Sequence, residues 1–149
     1  MKSLKWAFLA LTLFAFALNS CKKSSDNKPV TNSVALKFNG TAYSTSTITA
    51  AYSKGALQII GTYVDGSTLY IAIPSNVKVG SFDLTTGAAA ATFSTSATEA
   101  FIGDSGTITI TSFTSTAVAG TFAFTGPDAS NSHTGTATSG TFQTTYATQ

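Results

Sequence analysis

The fold class of this chain is decided by residues 57–73, LQIIGTYVDGSTLYIAI. Apolar residues recur at every second position on both sides of Asp65-Gly66, a dipeptide that favours the backbone angles of a tight hairpin turn. Residues 57–64 place apolar side chains on both faces, which is typical of a central strand. Pro74 follows the second half and lacks the N–H needed to continue a central ladder. The stretch therefore predicts a β-hairpin with one central strand.

The same alternation runs through much of residues 34–149. Residues 34–38 are followed by the turn Asn39-Gly40 and by one return strand over residues 41–52. Further strands are predicted at 77–84, 88–94, 107–111, 118–124 and 142–146. Gly126-Pro127-Asp128 is predicted to break a strand, and residues 128–133 to form a polar loop. These patterns predict about nine or ten strands with short connections.

Composition agrees with an all-β class. The chain contains 27 threonines and 19 serines, and threonine packs well on a pleated backbone. Sequential antiparallel strands favour a meander, folded as a two-sheet sandwich or a flattened barrel, since parallel pairing would need crossover segments that the sequence lacks. The length of residues 34–149 predicts a single domain.

A glycine, a Ser or Thr, and an aromatic residue recur as a triplet. The triplets are Gly61-Thr62-Tyr63, Gly80-Ser81-Phe82, Gly120-Thr121-Phe122 and Gly140-Thr141-Phe142. Successive triplets are about 20 or 40 residues apart, which suits one hairpin per repeat. The alternative is that turns and strand starts of any β-protein collect these residues.

The N-terminal residues resemble a bacterial lipoprotein signal peptide. Lys2 and Lys5 precede an apolar run of 13 residues, 6–18, which is shorter than the ~20 residues that span a bilayer. The run ends at Leu18-Asn19-Ser20-Cys21, which resembles a lipobox. The resemblance implies that residues 1–20 are removed and that Cys21 carries acyl chains such as palmitate.

The alternative is an ordinary secretory signal that ends near the only cysteine of the chain. A lone cysteine in an exported protein would be a reactive thiol, and acylation removes that thiol. Residues 21–33 are polar and predict a flexible tether with a typical reach of roughly 20 Å. Lys22 resembles the outer-membrane sorting pattern, so we expect a lipid-anchored outer-membrane protein whose periplasmic or cell-surface face stays open.

Charge excludes one class of partner. Residues 34–149 contain three lysines, five acidic residues and no arginine. Nucleic-acid binding needs clustered basic side chains, which release the counterions of the phosphates. No nucleic-acid partner is therefore expected.

Several segments together resemble a known family. They are Asn39-Gly40-Thr41-Ala42-Tyr43, residues 80–84, residues 106–111, residues 118–124 and Ser139-Gly140-Thr141-Phe142. This pattern is similar to a domain of unknown function found in small Bacteroidota-type lipoproteins. The resemblance implies a β-fold and an envelope location, and it carries no catalytic residue.

Candidate chemistry is sparse. Gly103-Asp104-Ser105-Gly106 superficially matches the nucleophile loop of trypsin-like proteases, but the sole histidine, His133, lies downstream of it instead of upstream. A serine nucleophile needs an imidazole base held by a carboxylate. We therefore interpret the string as a turn.

Metal and cofactor motifs are not found in the sequence. One histidine without a free cysteine cannot supply a structural zinc site, and Asp104 and Asp128 lack the spacing of a calcium loop. Paired carboxylates for glycoside hydrolysis stay open, although nothing selects a pair. The candidates are Asp65, Asp83, Glu99, Asp104 and Asp128. No cofactor is expected.

The sequence thus favours a non-catalytic, membrane-anchored module that binds or supports an envelope protein or glycan through residues it does not reveal. The first alternative is a barrel that carries a small apolar ligand among its inward aromatic side chains. The second is a hydrolase that uses loop carboxylates.

Overall fold

A computed structural model describes residues 30–149, which form twelve β-strands in two sheets. The predicted signal peptide, Cys21 and the tether as far as residue 29 lie outside the described residues. Val30 to Asn32 lead into the first strand, and the amide Oδ1 of Asn32 accepts a hydrogen bond from the backbone N–H of Thr145 at 3.1 Å. Residues 30–149 hold no helix with the length and hydropathy that a membrane crossing requires.

The strands are, in chain order, β1 (Ser33–Phe38), β2 (Thr41–Thr45), β3 (Ile48–Ser53), β4 (Ala56–Thr62), β5 (Thr68–Ile73), β6 (Gly80–Asp83), β7 (Ala90–Ser94), β8 (Ala100–Ile102), β9 (Ser105–Phe113), β10 (Ala117–Pro127), β11 (Thr134–Thr145) and β12 (Ala147–Thr148). Sheet A has the order β2-β1-β11-β10-β9-β6, and sheet B has the order β12-β3-β4-β5-β7-β8. The all-β class and the two-sheet sandwich are confirmed. The structure has twelve strands where the sequence predicted nine or ten.

Strand order departs from a simple meander. Consecutive strands pair in several places, but β1 pairs with β11, β9 with β6, and β5 with β7. Sheet B also contains one parallel pair, in which Ala147 and Thr148 lie beside Ala51 and Tyr52. The sequence pattern excluded parallel pairing for lack of a local crossover. Here nearly the whole domain separates the two strands, so the connection runs through both sheets.

The predicted central hairpin is confirmed. Its strands β4 and β5 pair from Leu57↔Ile73 to Thr62↔Thr68, and β4 lies between β3 and β5. Gly66 has a φ of +85° in the turn, which a residue without Cβ adopts at little cost. The inward side chains of both strands are fully buried. They are Leu57, Ile59, Leu69, Ile71 and Ile73.

The predicted single return strand over residues 41–52 is wrong, because the chain changes sheets within it. It forms β2 in sheet A and β3 in sheet B, with Ser46 and Thr47 between them. The hydroxyl Oγ1 of Thr45 accepts the backbone N–H of Thr47 at 2.9 Å, and the carbonyl of Thr47 accepts the N–H of Thr62 at 3.0 Å. These local bonds replace the ladder where the chain turns the corner.

Two further boundaries differ from the prediction. Strand β10 continues through Gly126 to Pro127. β9 begins opposite Thr125, so within sheet A Pro127 pairs with Thr134 of β11 and has no partner in β9, and a missing N–H is tolerated at such a position. Strand β11 starts at Thr134, eight residues before the predicted strand. Its inward positions there are Gly135 and Ala137, too small to register as an apolar pattern.

The core lies between two sheets whose strands cross. A Cβ on Gly61 of β4 would lie 3.7 Å from Val34, at the start of β1. At the other end of β1, the ring of Phe38 lies 4.6 Å from Phe93 and 5.0 Å from Phe101. Because β4, β7 and β8 follow one another along β1, the packing resembles an orthogonal sandwich. Inward side chains fill the interior of this sandwich.

The glycine-aromatic triplets have a structural reason at two of their four positions. Gly120 pairs with Phe142 and Gly140 pairs with Phe122 across β10 and β11. A Cβ on either glycine would lie 2.5 Å from the ring of the partner phenylalanine. Each ring therefore covers the glycine of the opposite strand. Both triplets belong to one hairpin, so the expectation of one hairpin per repeat is wrong.

Candidate functional site

The loop between β10 and β11 brings two predicted candidates together, Asp128 and His133. The Asp128 carboxylate accepts the backbone N–H of Ser132 at 2.8 Å and the hydroxyl of Ser130 at 2.9 Å, and it lies 3.1 Å from Nδ1 of His133. The backbone N–H of Asp128 donates to the carbonyl of His133 at 2.9 Å. Ser130 bonds to the carboxylate and not to the imidazole, so the geometry is that of a self-closed turn.

This turn holds its carboxylate in the ionised form. Partial burial of Asp128 raises its pKa, but the N–H of Ser132, the ring of His133 and the hydroxyl of Ser130 outweigh burial and lower the pKa to about 2. His133 itself has a side chain that is 73% exposed. The loop is therefore a stable cap on the β10–β11 hairpin, with the imidazole in solvent.

The string Gly103-Asp104-Ser105-Gly106 carries the chain from sheet B to sheet A. A Cβ on Gly103 would lie 2.7 Å from Leu84, so a larger residue would be crowded there. The backbone N–H of Asp104 and the hydroxyl of Ser105 both donate to the carbonyl of Thr125, at 3.1 and 3.3 Å. Ser105 is thus bonded to backbone, while His133 is bonded to Asp128. The sequence pattern predicts a turn for the whole string; in the structure its first two residues connect the sheets, and Ser105 and Gly106 already belong to β9.

The remaining carboxylates sit in their own turns. Asp65 accepts the hydroxyl of Ser67 at 2.5 Å, and Asp83 accepts the hydroxyl of Thr85 at 2.7 Å. These bonds lower the pKa of both carboxyl groups. Glu99 bonds to the hydroxyl of Thr95 before β8. In the described part of the chain, no group of three or more His, Cys, Asp or Glu residues could hold a metal ion.

The outer face of sheet A carries a different kind of surface, which we call the hydroxyl face. Its outward side chains come from all six strands and are almost all small. They include Ser33, Ala35, Lys37, Ala42, Ser44, Ser81, Asp83, Ser105, Thr107, Thr109, Ser112, Ala117, Ala119, Thr121, Ala123, Thr125, Thr136, Thr138, Ser139, Thr141, Gln143 and Thr145. Lys37 and Asp83 are the charged residues in this set.

Strand register aligns these hydroxyls in rows. Ser81, Thr109, Thr121 and Thr141 are successive cross-strand partners on four neighbouring strands. Neighbouring strands lie about 4.8 Å apart, so the row repeats at that spacing. The hydroxyls of Ser81 and Thr109 are 3.0 Å apart and hydrogen-bond to each other. Sequence reasoning missed this surface because its members are distant in the chain.

Two shallow depressions interrupt the hydroxyl face. The first, of about 220 Å³, has Ala123 among its lining residues, with hydroxyls of Ser105, Thr125, Thr136 and Thr138 around it. The second, of about 290 Å³, lies over β1 and β2. Its lining includes Ala35, Ala42, Lys37, Ser44 and Ser139.

The outer face of sheet B is uncharged but more apolar. Thr49, Ile60, Tyr70, Thr92 and Ile102 form one row across five strands. Ile60 is 40% exposed and Ile102 is 55% exposed. The two outer faces therefore differ in chemistry: one offers hydroxyls, and the other offers larger apolar side chains.

A comparison with protein families supplies the relationship of this chain. A family model described as a domain of unknown function, DUF6252, matches residues 30–145. The chain belongs to the DUF6252 family. The match spans every strand from β1 to β11, so the DUF6252 domain is the sandwich itself. No curated protein and no solved structure matches the chain.

Proposed function

We propose that this DUF6252 protein is a non-catalytic binding module, anchored to the outer membrane through Cys21, which holds an envelope protein or glycan on its hydroxyl face. The observation that carries the proposal is the outer face of sheet A. It presents aligned Ser and Thr side chains with two depressions, and its charged members are Lys37 and Asp83 alone. Threonine side chains on a strand are restricted at χ1, so ordering them when a ligand binds has a low entropic cost.

The positions of the titratable groups support a non-catalytic role. General acid–base catalysis needs a proton donor and an acceptor within hydrogen-bond reach of one reacting group. Asp65, Asp83 and Asp128 each accept hydrogen bonds within their own turns. We do not propose the apolar carrier, since the inward side chains of the sandwich fill the interior where a barrel would hold its ligand.

The path of the chain supports an anchored arrangement. Asn32 is bonded to Thr145 at the end of β11, so the segment that follows Cys21 enters the domain at this end of sheet A. Ten residues separate Cys21 from Asn32, which corresponds to a reach of roughly 20 Å for a flexible chain. The hydroxyl face lies along the strands and not at their ends. It would therefore stay open to a ligand beside the membrane.

Two measurements on the full chain in its own cells test the proposal. The first is incorporation of a palmitate analogue, which we expect for the wild type in the membrane fraction. The second is native purification in mild detergent, with the eluate analysed for proteins and glycans. Ala123→Glu places a charge in the first depression, and Ala90→Glu is the matched control because Ala90 is exposed on the outer face of sheet B. We expect Ala123→Glu alone to lose the bound material.

Equal retention by both variants would remove the hydroxyl face as the binding surface. A wild-type protein without acyl label would remove the anchor. Each result concerns a separate part of the proposal.

A further inference from the structure

We infer that the ligand of the hydroxyl face is a neutral glycan, an inference that rests on the proposed function and narrows it to one ligand class. The glycan would lie across the strands of sheet A, over the row that contains Thr121 and Thr141. Three properties of the face point to this ligand: its charge, its hydrogen-bonding groups and its surface shape.

Charge comes first. Lys37 on β1 and Asp83 on β6 lie near opposite edges of sheet A, with β11, β10 and β9 between their strands. The outward side chains of those three central strands are uncharged over residues 105–109, 119–125 and 136–145. An anionic ligand would meet no compensating cation there, and a cationic ligand would meet no anion. The centre of the face matches an uncharged ligand.

The hydrogen-bonding groups match a ligand that is itself rich in hydroxyls. A Ser or Thr hydroxyl both donates and accepts, and rotates to suit its partner. Two hydroxyl pairs already bond across strands, Ser81 with Thr109 and Thr125 with Thr136, at 3.0 and 3.2 Å. Each oxygen in such a pair keeps further capacity for a ligand. The β-branched threonine side chains are also stiff at χ1, so little side-chain entropy is lost when a ligand binds.

The same face is a poor match for a protein partner. Protein interfaces draw most of their binding energy from large anchors such as Trp, Tyr and Arg, while Ser and Thr contribute little. Tyr43 lines the second depression, but its ring packs inward against Tyr63 and Phe93, and the outward residues of sheet A in the described domain include none of these anchors. The outer face of sheet B does offer them, with Tyr70 beside Ile60 in one row. A protein partner would therefore be expected on the opposite side of the sandwich.

The surface shape of the face matches a glycan built of repeating sugar units. The two depressions lie on either side of β11, where Ser139 adopts a φ of +51° at a break in strand register. One is centred on β10 and the other on β1, and two strand spacings correspond to about 10 Å. Alanine methyls line both depressions, and Lys37 also lines the second. The methyls can contact the C–H groups of a sugar ring, and the Lys37 ammonium group can donate to sugar hydroxyl oxygens. Hydroxyls at the rims can bond its substituents.

Immobilised polysaccharides test the inference with the full chain purified in detergent. The neutral probes are β-glucan, xylan, mannan and chitin, and the anionic probe is polygalacturonate. The binding variant is Thr121→Val/Thr141→Val, which removes two hydroxyls and keeps the β-branched shape. The matched control is Thr49→Val/Thr92→Val, which makes the same change on the outer face of sheet B.

We expect retention on at least one neutral probe, and a loss of affinity of at least about tenfold in the Thr121/Thr141 variant, since each hydroxyl contributes a net hydrogen bond. The control variant should bind like the wild type. Exclusive retention on polygalacturonate would overturn the inference, as would equal binding by both variants. A defined protein released from the native complex by Ala123→Glu would overturn the glycan and leave the proposed binding function standing.

Discussion

Substitution of Gly140 by alanine tests the reciprocal packing of β10 and β11. A Cβ at this position would lie 2.5 to 2.6 Å from three atoms of the Phe122 ring, and Phe122 is 3% exposed. The ring cannot swing into solvent, so the site becomes overpacked. Overpacking of this kind destabilises by about 1–3 kcal/mol. Phe122→Ala removes the ring and is expected to cost about 3–5 kcal/mol through the cavity that it leaves.

The two changes are expected to couple strongly. Once the Phe122 ring is absent, the new methyl of Gly140→Ala enters the cavity and no longer meets the ring. The double variant should then unfold with a free energy close to that of Phe122→Ala alone. The coupling would be about 1–3 kcal/mol, well above the few tenths found for independent sites. Urea unfolding followed by circular dichroism gives all four free energies by linear extrapolation.

A second pair provides the control. A Cβ on Gly120 would lie 2.5 Å from the ring of Phe142, but also 2.3 Å from the backbone carbonyl oxygen of Thr109. Removal of the Phe142 ring leaves that carbonyl in place, so Gly120→Ala should stay costly in the Phe142→Ala background. Additive costs for Gly140→Ala and Phe122→Ala would refute the reasoning, because they would mean that the ring is not what occupies the space beside Gly140.

Three further outcomes are expected. Tyr63→Phe should leave the free energy of unfolding in urea unchanged or raise it by about 1–2 kcal/mol. The buried hydroxyl of Tyr63 has no hydrogen-bond partner in the described domain, so its desolvation is uncompensated. A loss above about 1 kcal/mol would show that the hydroxyl is hydrogen-bonded. In an acid titration, the stability contributed by the Asp128 carboxylate should be complete above its unfolded pKa of about 4 and be lost as the pH falls through its folded pKa of about 2. Asp128→Asn should remove this part of the pH profile of stability, and an unchanged profile would contradict the turn geometry. Cys21→Ser should abolish palmitate incorporation and release the protein from membranes with an unaltered thermal midpoint; a labelled variant would contradict Cys21 as the lipid attachment site.

The sequence predicts the parts of this fold that depend on neighbours in the chain. Leu57 to Ile73 form one hairpin with its own turn, and alternation in its second strand indicates the buried side chains Leu69, Ile71 and Ile73. In the first strand the sequence has apolar residues on both faces, and the structure leaves Ile60 exposed. The hairpin turn at Asn39-Gly40 is likewise local, with positive φ at both residues. Such segments carry their own turn chemistry and their own apolar face. Alternation and turn chemistry were therefore sufficient for them.

The first half of β11 shows why other segments escaped prediction. Its inward residues Gly135, Ala137 and Gly140 are small, because rings from other strands occupy the space over them. A Cβ on Gly135 would meet Phe38 and Phe101, and one on Gly140 would meet Phe122. The apolar volume at this part of the core is supplied by partners distant in sequence. The first half of β11 therefore has no large apolar residues at its inward positions, and its alternation cannot be recognised in the sequence.

The candidate site escaped prediction for the same reason, because its residues are distant in the sequence. Threonines at alternate positions in β9 are visible in the sequence, but the row through Thr121 joins Ser81 and Thr141, which only sheet register brings together. Strand propensity explains why threonine is frequent on an exposed face. It does not explain the lack of charge at the centre, since exposed strand positions also accept Lys and Glu and solubility favours them. In this domain Lys54, Lys78, Glu99 and Asp104 lie outside the strands. The outer face of sheet B is uncharged as well, so what distinguishes the centre of sheet A is its rows of small hydroxyl groups, and these rows are the reason to test it for a bound glycan.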